Sequence, residues 1–405
     1  MLNLERYGIY MIEIKGKRNT AFVYADKIDR ETKTQIAELL RMEAFADSKI
    51  RIMPDMHSGK GCVVGTTMTL HNRVIPSLIG VDIGCGIEVA MLKEEILDLP
   101  KLDKVIHESV PCGSGIHGTA LEVELSYLAE LYCYDEINRE RAYRSIGTLG
   151  GGNHFIEVDR DADGRLYLVI HSGSRQLGSD VAQFYQEAAY RYQCKKQRRS
   201  SKTHGMYDDD GYLTRALKRE RQNAVKVDRG SALLEGELFK QYIHDTAIVQ
   251  RYAELNRKII SETICKKMGF HAEERFSCVH NYIDAEYMIL RKGAISARQG
   301  ERVIVPLNMR DGAVIGTGLG NPEWNFSAPH GAGRACSRTD ARYAFTVEEF
   351  QEQMEMAGIY TTTAAAGSLD ECPMAYKSPD RILGFLSETV QVEKFIRPIY
   401  NFKAC

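Results

Sequence analysis

The six residues Val81-Asp82-Ile83-Gly84-Cys85-Gly86 place a carboxylate and a thiol three positions apart, on a loop whose glycines permit unusual backbone angles and close approach. Two groups that bind metals as anions repel at that spacing unless a cation lies between them. A short glycine-rich turn around a buried free cysteine is the other reading of the same residues. Three distant histidines, His154, His171 and His280, each stand at the end of an apolar run and favour the metal. The rest of the chain then reads as a scaffold that carries them to this loop.

Composition narrows the setting. The chain has 405 residues and is 44% hydrophobic, enough to bury a large core. Its formal charge is only −2, so a polyanion would have to be held by a local cleft and not by a global basic field. The ten cysteines contain no CxxC pair, which fits free thiols in a reducing cytosol better than disulfides or a zinc ribbon. Residues 1–7 do not resemble a secretion signal, and no apolar run approaches the roughly 18 residues of a membrane span. A cytoplasmic protein with no membrane partner is expected.

Periodicity gives an α+β order. Residues 7–14 and 21–24 read as opening strands, 29–46 as a helix capped at Asp29, and 50–53 as a strand ending in the loop 54–61. That loop carries Asp55, His57 and Lys60, which suit phosphate or acid–base work but also an ordinary solvated turn. A strand over 87–92, helices over 97–110 and 120–134, and a strand over 166–170 follow. Long helices are expected over 181–193 and 233–268, and their apolar spacing reads as core. The basic run 195–199 and the polar stretch 200–210 between them read as a solvated face or an RNA contact. Strands return at 276–279, 287–290, 303–305 and 313–315. Helices over 347–357 and 382–388, a loop over 372–377 and a last strand over 392–400 complete the chain. No repeat or linker divides it, so one domain over residues 1–405 is expected, with mixed sheets around a di-metal cleft and a helical insertion at about 180–270.

The ligand-type residues form a mixed oxygen, sulfur and nitrogen set: Asp82, Cys85, His154, His171 and His280. With one bridging thiolate, five side chains serve two divalent ions and leave positions open for substrate. Their softness favours zinc or manganese over magnesium. Gly150, Gly151 and Gly152 free backbone N–H groups to face an anion just before Asn153, His154 and Glu157. Ser172, Gly173, Ser174 and Arg175 follow His171, a pattern suited to oxyanions. His330 stands before Gly331, Ala332, Gly333 and Arg334. A phosphate can reach the backbone there, with Arg334 to neutralise it, which suits a histidine nucleophile toward phosphorus; a solvated glycine-rich turn remains the alternative.

Residues 53–57, 81–86, 149–157, 171–175, 280–282, 291–298, 330–338 and 373–377, in this order, resemble the RtcB family of RNA ligases over nearly the whole chain. The resemblance implies a single-domain α+β fold, two manganese ions and GTP. It implies that Cys85 bridges the metals, that His154 and His171 complete one site, and that Asp82 and His280 complete the other. His330 would carry a covalent GMP. Asn153, Glu157, Asn281 and the Gly331, Ala332, Gly333, Arg334 loop would hold the nucleotide, with Lys403 near the guanine and His280 beside it. Asp55 and Arg175 would act near the RNA ends. The implied reaction joins RNA bearing a 2′,3′-cyclic phosphate or 3′-phosphate to RNA bearing a 5′-hydroxyl, such as broken tRNA or rRNA, in repair or splicing. A monomer is expected.

Two stretches depart from the family pattern. Pro306-Leu307-Asn308-Met309-Arg310 replaces Pro-Gly-Ser-Met-Gly, with Ala313 where a serine is usual, and the usual terminal Lys-Gly reads Lys403-Ala404-Cys405. The chain therefore reads as a divergent bacterial paralogue with metal ligands and nucleophile in place. The competing reading is a metal-dependent phosphodiesterase that heals RNA ends and ligates weakly or not at all. An RNA-binding or regulatory protein with a relic site is the third, and the complete ligand set argues against it.

Overall fold

The computed structural model describes residues 11–203 and 227–404. The first part of the expected opening strand (7–10), most of the polar stretch 200–210 and the terminal Cys405 lie outside the described residues, as do residues 1–7. Among the described residues, no helix is long and apolar enough to cross a membrane.

Two large sheets form the frame. The six-stranded sheet runs in the order Met11–Lys15, Thr20–Tyr24, Ile50–His57, Val64–Thr69, Ile289–Lys292, Asn281–Asp284. The seven-stranded sheet is antiparallel throughout, in the order Ala272–Val279, Gly86–Leu92, Leu166–Ser172, Phe155–Arg160, Val390–Lys403, Gly312–Gly318, Arg302–Asn308. The chain passes from one sheet to the other at His280, between Ala272–Val279 and Asn281–Asp284.

The central strands Gly86–Leu92, Leu166–Ser172 and Phe155–Arg160 are buried on both faces, and the two-residue period of a strand sorts their side chains between them. Ala90, Leu92, Ile156, Val158, Leu166, Leu168 and Ile170 form a core with Leu102 and Ile106 of the helix Leu99–Ser109 and with Ile260 and Ile264 of the helix Gly236–Met268. The alternate residues Ile87, Val89, Phe155, Tyr167 and Val169 pack with Val303, Val305 and Ile315 on the other face. The helix Gly236–Met268 also reaches the core of the six-stranded sheet through Val249 and Tyr252, packing beside the helix Arg175–Thr203. It ends at Gly269 in the left-handed region, φ 76°, where glycine carries no steric cost.

Several local readings need correction. The expected helix over 29–46 stops at Leu39, although Asp29 does cap it by accepting from the Thr32 N–H at 2.9 Å. Residues 120–134 form short 3-10 turns instead of a helix. Their apolar residues Leu125, Leu128 and Leu131 pack inward at a tighter spacing, which resembles an amphipathic helix in sequence. The strand begun at Ile50 continues through His57, so Asp55 lies on a strand with irregular register and not on a loop.

Candidate active site

Strand register brings the dispersed ligands together. Gly86 pairs with Ser172 and Val279, and His171 pairs with Ile87 and Phe155. Four consecutive strands thus end at one edge of the seven-stranded sheet, carrying Cys85, His171, His154 and His280. The backbone closes the group: the His280 N–H donates to the Cys85 carbonyl at 2.9 Å and the Gly84 N–H to the Asn281 carbonyl at 2.7 Å.

Cys85 Sγ lies 3.3 Å from His171 Nε2 and 3.5 Å from His154 Nε2. His171 Nε2 is 3.3 Å from His280 Nε2, and Asp82 Oδ2 is 3.2 Å from His154 Nε2. Gly173 lies against the Asp82 carboxylate, where any Cβ would overlap it. His154 Nδ1 donates to the Leu149 carbonyl at 2.8 Å, and His171 Nδ1 donates to the Asn153 carbonyl at 3.1 Å. Carbonyls only accept, so both rings place a lone pair on Nε2, facing the sulfur. Two lone pairs and a thiol facing one another in a buried space have one proton among them, which suits a cation. Cys85, His154 and His171 all offer their atoms within 4.8 Å of one another.

Titration follows the same geometry. Burial, then the neighbouring imidazoles, holds His171 well below the usual histidine range, and burial with His330 does the same for His280. Both are neutral, the form that ligates. Burial and the adjacent Asp82 push the Cys85 thiol well above its usual range, so a cation is what would make it a thiolate. Burial raises Asp82, but the hydrogen bond and charge that a protonated His154 supplies outweigh it and hold the carboxyl at about 2; with His154 neutral and its Nε2 lone pair toward that oxygen, a cation would stand in for the proton.

Beside the cluster lies His330, its ring 5.0 Å from that of His280. Asp55 is fully buried, and its Oδ2 accepts from His330 Nδ1 at 2.6 Å, from the His330 N–H at 3.0 Å and from the Gly331 N–H at 3.2 Å. His330 keeps 19% of its side chain exposed, open to a ligand. Gly333, at φ 72°, packs directly on the Asp55 backbone and leaves no room for a side chain.

His330, Gly331, Ala332, Gly333 and Arg334 form one wall of a cavity of about 220 Å³. Asn153, Glu157, Asn281 and Lys403 line it as well, with His171 and His280. Lys403 Nζ reaches the Asn153 carbonyl and the Glu371 carboxylate, each at 2.9 Å. Arg334 donates to the Asp370 carbonyl at 2.6 Å and lies 3.3 Å from Glu371. Glu157 accepts from the Asn401 side chain; burial, partly offset by Lys403, raises its carboxyl to about 7. Arg175 sits apart from the cavity, held to Thr148 Oγ1 at 3.1 Å and to the Gly113 carbonyl at 3.0 Å, its guanidinium over Gly150.

Sequence reading passed over several residues here. Glu371 is 1% exposed and joins Lys403, Arg334, Arg338 and the Tyr376 hydroxyl. Lys292 also lines the cavity, as does His57, which the sequence already marks for phosphate or acid–base work and which burial lowers to about 4. Nothing local marks Glu371, which reads as one more acid on a loop. The altered loop contributes Pro306, Leu307, Asn308 and Met309 to the wall, with Leu307 and Met309 buried. Ala313 pairs across the hairpin with Pro306 and is buried in the core.

Comparison with known proteins agrees with this arrangement. The family described as tRNA-splicing ligase RtcB matches residues 35–136 and 126–404. The RNA-splicing ligase RtcB of Escherichia coli K12 is 29% identical over 418 residues, covering 93% of this chain and 95% of the relative. RNA-splicing ligase RtcB1 of another Escherichia coli strain shares the same identity and coverage. The tRNA-splicing ligase RtcB of Aeropyrum pernix is 27% identical over 480 residues, covering 94% of each chain. A family match over most of the chain, together with a Cys–His cluster built from four strand ends, places this protein in the RtcB family of RNA ligases.

Proposed function

We propose that this chain joins RNA ends bearing a 2′,3′-cyclic phosphate or 3′-phosphate to RNA bearing a 5′-hydroxyl, using GTP and two manganese ions through a covalent His330–GMP intermediate. The observation that carries the reading is the Asp55–His330 contact. A carboxylate accepting from Nδ1 fixes the imidazole tautomer and leaves Nε2 as the nucleophilic nitrogen.

Water first opens a cyclic phosphate to the 3′-phosphate, breaking the bond to O2′. His330 Nε2 attacks the α-phosphorus of GTP and pyrophosphate leaves. The RNA 3′-phosphate then displaces the histidine and takes the GMP. The 5′-hydroxyl attacks that phosphate, GMP departs, and a phosphodiester remains. Asp55 keeps His330 oriented and stabilises its positive charge. The small Gly331, Ala332 and Gly333 let phosphate reach backbone N–H groups, and Arg334 adds charge at the wall. Asn153, Glu157, Asn281 and Lys403 hold the nucleotide, and Arg175 meets the RNA end.

Cys85, shared between His154 with His171 and Asp82 with His280, would hold the two ions, which when bound neutralise phosphate charge and polarise phosphorus–oxygen bonds. Zinc or another divalent ion fits the donor set as well.

The test is incubation with manganese and α-labelled GTP, then denaturing electrophoresis, beside His330→Ala. Label retained by the wild type and absent from the variant supports the reading. No label from GTP or ATP, with cyclic phosphate still opened, would instead favour an end-healing phosphodiesterase. Leu307 and Asn308, bulkier than the Gly and Ser expected at these places in the cavity wall, are the observation behind that second reading.

A further inference from the structure

The helix Gly236–Met268 carries two adjacent polar residues, Asn256 and Arg257, both with no exposed surface. A buried guanidinium is costly unless its N–H groups are partnered, and Glu254, Glu88 and Asp82 act on Arg257 through charge and not through a hydrogen bond. Its contacts are instead to the chain segments that carry the metal-type ligands. Nη1 donates to the Gly84 carbonyl at 2.8 Å and to the Ser172 carbonyl at 3.0 Å, and Nη2 donates to Ser277 Oγ at 3.2 Å. Gly84 precedes Cys85, Ser172 follows His171, and Ser277 stands on the strand that leads to His280. One planar group therefore spans three of the four ligand-bearing segments.

Asn256 ties in the fourth. Its Oδ1 accepts from the Gly147 N–H at 2.7 Å and the Thr148 N–H at 3.1 Å. Its Nδ2 is within 3.2 Å of the Thr148 carbonyl, Ser172 Oγ and the Gly173 carbonyl. Ser172 Oγ in turn donates to the Leu149 carbonyl at 2.8 Å, the same carbonyl that fixes the His154 ring. Loop 147–149, the Gly84–Cys85 turn and the ends of two strands thus share one two-residue hub on a rigid helix.

We propose that Asn256 and Arg257 are positioning residues that set the spacing of Cys85, His154, His171 and His280 for metal binding. The inference rests on the metal reading of that cluster. Ligand atoms must converge to within a few tenths of an ångström for a divalent ion, and these four arrive on separate segments whose carbonyls need a common partner. A guanidinium supplies a flat fork with fixed angles. A lysine supplies the same charge without the fork.

Cobalt(II) titration of the metal-stripped full chain tests this, read by the sulfur-to-cobalt charge-transfer band, with circular dichroism to verify folding. Arg257→Lys is expected to weaken cobalt binding roughly 10- to 100-fold and to alter the band, as loss of partners behind metal ligands does. Ser277→Ala, which removes a single contact, is expected to show a smaller loss in the same direction, and it decides the matter if Arg257→Lys does not fold. Tyr252→Phe is the control. It lies on the same helix, and its hydroxyl donates to the Ala142 carbonyl at 2.7 Å, away from the ligand segments. It should lower the thermal midpoint and leave cobalt affinity unchanged. Wild-type affinity and band in folded Arg257→Lys and Ser277→Ala would overturn the proposal, as would equal weakening by Tyr252→Phe. A wild type that binds no cobalt would overturn the metal reading and this inference with it.

Discussion

Asp55 Oδ2 and His330 Nδ1 lie 2.6 Å apart, and the same oxygen accepts the backbone N–H groups of His330 and Gly331. An amide in place of the carboxylate presents an N–H to one of those donors or accepts through a neutral oxygen, and it no longer selects the tautomer or stabilises a cationic ring. Asp55→Asn is expected to slow labelling of His330 by GTP by about 10³-fold or more, while the thermal midpoint moves by only a few degrees. Single-turnover labelling with denaturing electrophoresis measures this; a variant labelled at the wild-type rate would remove Asp55 from the proposed chemistry.

Metal loading should appear as stability. A ligand at 100 times its dissociation constant adds about 2.7 kcal/mol to a folded protein that alone binds it. Manganese or zinc is therefore expected to raise the thermal midpoint of the wild type, and a chelator to reverse it. Cys85→Ala and His171→Ala should show little of that rise, since each removes an atom from the one tight group of ligating atoms among the described residues. A midpoint that rises equally in the variants would place the binding elsewhere.

Glu371 gathers Lys403, Arg334, Arg338 and the Tyr376 hydroxyl. Burial alone would raise its carboxyl, but Lys403 and Arg338 hold it at about 2. A lowered carboxyl adds stability at pH values above its unfolded range, near 4.5, and that stability is lost as pH falls toward 2. Glu371→Gln is expected to cost about 3–5 kcal/mol at pH 7, because three cations lose their buried partner. The difference from wild type should shrink as the pH is lowered. Urea unfolding at several pH values measures both.

Glu157 runs the other way. Burial raises it to about 7, so its protonated form is the one the fold favours. The associated stability is complete below pH 4.5 and is lost as the pH rises through about 7. Glu157→Gln keeps an acceptor for the Asn401 side chain and has no charge to bury. Near pH 5 the variant should match the metal-free wild type, and near pH 8 it should melt at a higher temperature. Parallel melting curves at the two pH values would refute the assignment.

Much of the site was legible because its residues punctuate strands. His154, His171 and His280 each stand beside an apolar run, and the antiparallel register that gathers them follows from those runs ending at one edge. The Asp29 cap and the strand Gly86–Leu92 were equally readable. Pro54 and Gly59 read as punctuation and point to a loop at Asp55, whereas the strand continues through an irregular register. Residues 120–134 show the limit of periodicity, since closely spaced leucines serve 3-10 turns as well as a helix. Asn256 and Arg257 were hidden within a stretch read as core. Asn256 lies four residues from each of the buried Tyr252 and Ile260, on the inward register of the helix, and that was the available signal; the partners of Asn256 and Arg257 lie more than 80 positions away for most contacts, beyond any local pattern.

His280 occupies the single residue between a strand of one large sheet and a strand of the other, and its N–H is tied to Cys85 across that junction. An ion held by both residues would act as a rivet through the seam, so filling the cluster and locking the angle between the sheets become one event. The cavity wall is drawn from both sides of the seam, with Asn281 and Lys292 from one sheet and Glu157 and Lys403 from the other. With an ion bound, the shape of that wall would be inherited from the metal, and a nucleotide fitted to it would read the state of the joint as much as the residues that touch it.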